Sequence, residues 1–124
     1  MTFVDANVLL EVILRRTRAS ICEEYLSNNK NDKAISTLTL DLVMYFIERD
    51  NLDWKPIKAF LESFNWLPIV EADAQWAFAQ FKGDDFEDAL QVACAIREGC
   101  NNFATIDKAL SKKYSDNISI DLIR

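Results

Sequence analysis

Four aspartates from distant parts of the chain have the chemistry that a hydrolytic site would need. They are Asp5 near the start, Asp85 and Asp88 in one acidic segment, and Asp107 towards the end. The chain contains no histidine, which excludes a Ser-His-Asp triad, a Cys-His pair and a histidine acid–base couple. Hydrolysis would therefore depend on carboxylates, a metal ion, or lysine, tyrosine and cysteine side chains.

Asp5 and Asp107 each stand between a predicted strand and a predicted helix. A carboxylate at such a junction commonly caps the helix by accepting a bond from a backbone N–H. Its second oxygen can still bind a cation, so both roles stay open for these two residues. Two polar neighbours could assist a cation: Asn7 by holding a metal-bound water, and Thr105 by orienting Asp107 or a water.

Residues 84–90 form the densest acidic cluster. Acidic side chains favour the positive N-terminal end of a helix, which accounts for Asp84 and Asp85. Asp88 is less well explained, because it lies three residues from Asp85, on the same helix face, and borders apolar residues. An unpaired buried charge is costly, so Asp88 needs a partner, which either a metal ion or a Lys or Arg side chain would provide.

Strand and helix patterns alternate along the chain and would position these aspartates. Strands are predicted at residues 2–4, 34–36, 66–70, 102–105 and 117–120. Helices are predicted after Asp5, at 18–28, from Thr37 or Thr39 to Glu48, and at 54–64, 72–81, 85–98 and 108–113. This alternation predicts a three-layer α/β/α domain around a mostly parallel sheet of about five strands. Sites in such sheets form at the carboxyl ends of the strands, where Asp5 and Asp107 are expected.

The composition sets further bounds. A length of 124 residues suits one domain, at 1–124, and we expect neither a signal peptide nor a membrane span. Three cysteines at unrelated spacings do not suggest a zinc site, and reduced thiols fit a cytoplasmic protein. The net charge of −6 argues against a general nucleic-acid binder. It does not exclude a metal-dependent nuclease, because such a site must itself be acidic.

Four blocks of the sequence resemble the PIN-domain family. Residues 3–10 (FVDANVLL) are similar to its opening strand and helix, and residues 36–40 (STLTL) to its second strand-to-helix junction. Residues 85–91 (DFEDALQ) resemble a segment of one bacterial subgroup, and residues 102–107 (NFATID) the strand and turn that follow it. The blocks occur in the family's order and extend over nearly the whole chain.

The resemblance implies a Mg²⁺- or Mn²⁺-dependent endoribonuclease of the small bacterial toxin (VapC-like) type. Many such proteins are inhibited by an antitoxin that plugs the acidic site. By the same resemblance Asp5, Asp88 and Asp107 are metal ligands, Asp85 is an accessory catalytic carboxylate, and Thr105 supports the ligands from behind.

One position departs from the family pattern. Members usually carry a Glu early in the helix after the second strand, and here that position holds Leu42. Asp41 is adjacent but turned by about 100° around the helix. Some members of the DFEDALQ subgroup have an Asn or Tyr nearby instead, as Tyr45 would be. The departure puts the number of metal ions and the full activity in question.

Two basic clusters and a surplus of aromatic residues suggest partner surfaces. Contacts to RNA phosphates are expected from Arg15, Arg16, Arg18, Lys108 and Lys112. The alternative for the arginines is a solvated helix end, where cations are favourable. Most of the aromatic residues Trp54, Trp66, Trp76, Phe60 and Phe64 should be core. The remainder would mark a homodimer interface or a groove for an antitoxin helix.

Three functions compete. The first is the metal-dependent ribonuclease, as a toxin subunit. The second is a catalytically weak PIN module that mainly binds a protein partner, which the Leu42 position and the negative charge favour. The third is a phosphoaspartyl hydrolase using Asp5, which ranks lower because that chemistry normally wants a second Asp where Asn7 stands.

Overall fold

A computed structural model describes residues 1–124 as a parallel sheet between two layers of helices. The five strands are Thr2–Val4 (β1), Lys33–Ser36 (β2), Asn65–Leu67 (β3), Asn102–Thr105 (β4) and Ser119–Leu122 (β5). The seven helices are Ala6–Ile13 (α1), Ala19–Asn28 (α2), Thr37–Arg49 (α3), Trp54–Leu61 (α4), Glu71–Gln80 (α5), Phe86–Arg97 (α6) and Lys108–Tyr114 (α7). The predicted three-layer α/β fold is confirmed.

The strand order is β3-β2-β1-β4-β5, and every neighbouring pair is parallel. The chain builds one half of the sheet outwards from β1 to β3, then crosses to the other half with β4 and β5. Because parallel crossovers are right-handed, reversing the direction of growth puts the later helices on the opposite face. The order changes direction between β1 and β4, and this is the point where sites form in such sheets.

Successive strand residues point to opposite faces of the sheet and pack into two hydrophobic cores, one on each face. Phe3 and Phe103 stack with ring centroids 5.2 Å apart and pack under α5, α6 and α7. Val4 and Ala104 face the other way and pack under α1 to α4. Strands buried on both faces read as continuous apolar runs, which is why β1 and β4 could be recognised in the sequence.

Several element boundaries differ from the sequence prediction by one to three residues, and three of them have a visible cause. β3 ends at Leu67 because Pro68 has no N–H for the ladder. α4 ends at Leu61, and the chain continues in turns that include a bond from the Phe64 N–H to the Leu61 carbonyl. β5 begins at Ser119, because the N–H of Ile118 is still bonded to the last turn of α7.

An ion pair outside the candidate site ties the second helical layer together. Arg97 in α6 donates from Nε and Nη2 to the two carboxylate oxygens of Asp73 in α5, at 2.9 and 3.1 Å. The same guanidinium donates to the carbonyl of Pro68 at 2.6 Å, so it joins two helices to the end of β3. None of the helices is both long and apolar enough to cross a membrane.

Candidate active site

Asp5 directly follows β1 and is completely buried at the carboxyl edge of the sheet. Its Oδ1 accepts from the backbone N–H of Asn7 at 3.2 Å, so it caps α1 as expected. Its Oδ2 accepts from the Thr105 hydroxyl at 2.7 Å. Burial raises the pKa of Asp5 and these hydrogen bonds oppose that rise. Oδ2 accepts only this one bond and keeps a further lone pair, so capping leaves room for a cation.

Asp107 lies one strand away, after β4, and is linked to Asp5 through Thr105. The Thr105 hydroxyl donates to Asp5 and accepts from the backbone N–H of Asp107 at 3.1 Å. Asp107 Oδ1 caps α7 by accepting from the N–H groups of Ala109 and Leu110 at 2.8 and 3.1 Å. Thr105 therefore contacts Asp107, which is one of the two roles that the sequence predicts for it, and it also bonds Asp5, which the sequence does not predict.

Asp88 lies in the first turn of α6 and is half-buried. Burial raises its pKa to about 7, and four nearby carboxylates add to the effect, namely those of Asp5, Asp107, Asp85 and Glu87. Asp88 is thus near enough to Asp5 and Asp107 for their charges to act on its pKa. Asp85 does not begin the helix as predicted, because it lies just before α6 in a left-handed conformation with φ of 58°. It therefore does not share a helix face with Asp88.

Gln91 and Glu87 belong to the same cluster, and sequence reasoning did not select either. Gln91 is fully buried; its Oε1 accepts from the Ala6 N–H at 2.9 Å and its Nε2 donates to Asp5 Oδ1 at 3.3 Å. Nε2 also donates to Glu87 at 3.4 Å. Burial raises the pKa of Glu87, and the charge of Asp5 adds to it. A glutamine inside the apolar run of α6 was the available signal, because a buried amide needs partners.

The site carboxylates have no cationic partner. The five ion pairs of the protein use Glu11, Asp50, Glu62, Asp73 and Glu98. A Lys or Arg partner for Asp88, which the sequence left open, is therefore absent. Oxygen donors of this kind fit a hard divalent cation such as Mg²⁺ or Mn²⁺. In this structure, however, no three Asp, Glu, Cys or His side chains converge closely enough to hold an ion.

The position that departs from the family pattern adds no carboxylate. Leu42 is partly buried in α3, Asp41 is exposed, and Tyr45 is 58% exposed. Neither Asp41 nor Tyr45 is among the charged groups that raise the pKa of Asp88. The acidic cluster is thus built from the ends of β1 and β4 and the start of α6.

The predicted basic residues divide into two groups. Arg16, Arg18 and Lys108 line a pocket of about 450 Å³ that also contains Asn7 and Asp107. Arg15 and Lys112 are exposed and do not line it. A larger cavity of about 590 Å³ lies at the opposite edge of the sheet, near the starts of β2 and β3. It is remote from the acidic cluster and has no comparable group of carboxylates.

The aromatic residues that the sequence predicts to be mostly core include both buried and exposed side chains. Phe64 is buried, Phe60 and Trp76 are partly buried against the two cores, and Trp54 and Trp66 are 48% and 45% exposed. The two exposed tryptophans line an apolar groove of about 200 Å³ between α3 and α4, together with Leu40, Met44, Lys58 and Leu61.

The protein is thus a three-layer α/β/α domain of the class that carries aspartates at the carboxyl ends of its strands, where the strand order reverses. Within that class, the chain belongs to the PIN domain family, whose model matches residues 2–115. Among curated proteins it is 28% identical to Ribonuclease VapC1 of Aquifex aeolicus over 95% of this chain and 87% of the relative.

Two solved structures share the fold. A chain of a toxin-antitoxin complex from Klebsiella pneumoniae superposes with a TM-score of 0.76 and 20% identity, over 98% of this chain and 96% of the other. VapC20 of Mycobacterium tuberculosis, a Sarcin-Ricin loop cleaving toxin, gives a TM-score of 0.75 and 14% identity, over 90% and 94%. At these identities the likeness supports the fold alone.

Proposed function

We propose that this protein is a divalent-metal-dependent endoribonuclease and the toxin subunit of a toxin–antitoxin pair. The observation that carries the proposal is the group of carboxylates around Asp88 that no Lys or Arg neutralises. Such a group lowers stability unless a cation binds it. Family membership and the similarity to a named ribonuclease support cleavage of RNA.

Asp5, Asp88 and Asp107 would hold Mg²⁺ or Mn²⁺, with Asp85 as an accessory carboxylate. When bound, the ion would supply an activated water and neutralise charge on the phosphodiester. Thr105 and Gln91 keep the Asp5 carboxylate in one orientation, and the N–H groups at the start of α7 orient Asp107. Asp88, whose pKa is about 7, would release its proton to the solvent as the site is loaded.

The antitoxin is the proposed protein partner, and the apolar groove containing Trp54 and Trp66 is a surface that an apolar helix face would fill. A homodimer is the further assembly that we propose, in line with the exposed aromatic surplus. The three free and buried thiols Cys22, Cys94 and Cys100 support a location in the reducing cytoplasm.

The proposal is tested by RNA cleavage with the purified, partner-free chain in Mg²⁺ or Mn²⁺. Asp5→Asn and Asp88→Asn should each lose at least about 100-fold in rate, the scale expected when an electrostatic group of the site is removed. Asp84→Asn is the matched control, because Asp84 is exposed and lies outside the group of carboxylates that raises the pKa of Asp88. Cleavage that persists in both site variants would disprove the assignment.

A second candidate is a PIN module that mainly binds a protein and cuts RNA weakly. It is favoured by the apolar side chain of Leu42 at the usual acidic position and by the apolar groove. A wild-type chain that is inactive with either ion, yet stably binds its partner, would establish this function instead. A phosphoaspartyl hydrolase is disfavoured, because Asp5 is fully buried with both oxygens hydrogen-bonded and is poorly placed as a nucleophile.

A further inference from the structure

We propose that the pocket beside Asp107 binds a backbone phosphate of the RNA next to the one that is cleaved. This inference rests on the proposed function and adds a substrate contact to it. The pocket joins the acidic cluster directly, since Asn7 and Asp107 form one of its walls. Its volume of about 450 Å³ is ample for a phosphate and its sugar.

The charge of the pocket fits an anion although the protein is acidic overall. Arg16, Arg18 and Lys108 line it, against the carboxylates of Glu11 and Asp107. Glu11 is only 6% exposed and its charge is already shared with Arg18. In a chain with a net charge of −6, three cations around one cavity stand out, and phosphate contacts place a nucleic acid relative to a reacting centre.

Arg18 is held in the wall of the pocket by three contacts. Its backbone N–H donates to Glu11 Oε1 at 3.0 Å, and its side-chain Nε lies 3.7 Å from the same oxygen. Its Nη1 donates to the carbonyl of Ile106 at 3.1 Å, one residue before Asp107. The side chain remains 51% exposed, so its other N–H groups are free for a phosphate. A guanidinium held in place loses less entropy on binding.

Arg16 approaches the pocket from the end of α1 and lies over the ring of Phe46, with Cζ 5.4 Å from the ring centroid. Lys108 reaches it from the first residue of α7. Arg16 and Arg18 thus come from the connection between α1 and α2 and Lys108 comes from α7, and all three line one space. Arg15 and Lys112 carry the same charges nearby but do not line the pocket, which provides matched controls.

The experiment measures binding of a fluorescein-labelled single-stranded RNA of ten nucleotides by anisotropy, in EDTA, over a series of salt concentrations. Each phosphate contact contributes about 0.7 to the slope of log K against log salt for a single strand. Arg16→Gln and Lys108→Gln should each lower that slope by about 0.7 and weaken binding several-fold. Arg15→Gln and Lys112→Gln, which remove equal charge outside the pocket, should leave the slope unchanged.

Equal slopes for the pocket variants and their controls would overturn the proposal, since they would show only general electrostatic attraction. If the pocket variants instead bind RNA normally but lose affinity for polyglutamate, the pocket accepts an acidic protein segment and the RNA assignment is wrong. Cleavage by the wild type in Mg²⁺ or Mn²⁺ is measured in parallel. If the wild type cuts RNA but the pocket and control variants have equal salt slopes, only the pocket proposal is refuted. If the pocket variants change the slope but the wild type does not cut RNA, only the proposed nuclease function is refuted.

Discussion

Replacing Asp88 by Asn should stabilise the metal-free protein at pH 8. Burial and four neighbouring carboxylates raise the pKa of Asp88 from 3.8 to about 7. An acid whose pKa is raised on folding stabilises the native state at low pH, and that stability is lost as pH rises through the folded pKa. The ionised form at pH 8 therefore opposes folding, and the neutral amide of nearly equal shape removes this effect.

The magnitude follows from the size of the pKa change. The interval from 3.8 to about 7 corresponds to roughly 4 kcal/mol at about 1.4 kcal/mol per pH unit. Asp88 is only half-buried, and solvent screens part of this energy, so we expect about 2 kcal/mol. The gain should be present at pH 8, should decline as pH falls from 7 towards 4, and should vanish near pH 4.

Urea unfolding in EDTA at pH 4, 6 and 8 measures the effect, with Asp84→Asn as the control of equal charge change. Adding Mg²⁺ or Mn²⁺ at pH 8 should stabilise the wild type, by about 2.7 kcal/mol at 100 times the dissociation constant, but not Asp88→Asn. If Asp88→Asn is no more stable than the wild type at pH 8, or if its gain is the same at pH 4, the carboxylates do not repel one another as argued.

Three further predictions concern the supports of the site and of the fold. Thr105→Val removes the hydroxyl bond to the Asp5 carboxylate and should lower the free energy of unfolding in urea by roughly 2–3 kcal/mol. It should also slow RNA cleavage at least about tenfold, whereas Thr105→Ser should retain both the stability and the cleavage rate. Gln91→Glu places a third charge against Asp5 and Glu87, and urea unfolding should show a loss at pH 8 that recovers at pH 5. Asp73→Asn leaves Arg97 without its bidentate partner and should lower the free energy of unfolding in urea by roughly 2–4 kcal/mol. The control Glu71→Gln, at an exposed position of the same helix that bonds only Gln75, should leave it unchanged.

The arrangement of Asp5 and Asp107 was predictable because it depends on topology alone. Two residues that end neighbouring parallel strands must lie at one edge of the sheet, and apolar runs revealed both strands. The sequence predicts that β5 begins two residues too early, since nothing in it shows that the turn after α7 extends to Ile118. Boundaries of this kind depend on single hydrogen bonds and not on periodicity.

The contribution of α6 to the site was only half predictable. The acidic segment marks the helix start, but the rotation of α6 against the sheet decides which side chains reach Asp5. That rotation brings Gln91 to Asp5 and Ala6, a contact that spacing along one helix cannot show. The left-handed conformation of Asp85 was missed for a local reason: Asp tolerates this region more readily than most residues, so the helix can start one residue later than its polarity suggests.

The distribution of ion pairs supports the proposal that the acidic cluster is functional rather than structural. Buried Asp73 and Glu11 are each given an arginine, as the cost of an unpaired buried charge requires. Asp5 is buried equally deeply and receives only neutral donors from Thr105, Gln91 and the backbone. Arg18 comes within reach of the Asp107 loop but bonds the Ile106 carbonyl. Cations are thus available nearby and are directed away from the carboxylates, which keeps those oxygens open to a cation from outside the chain.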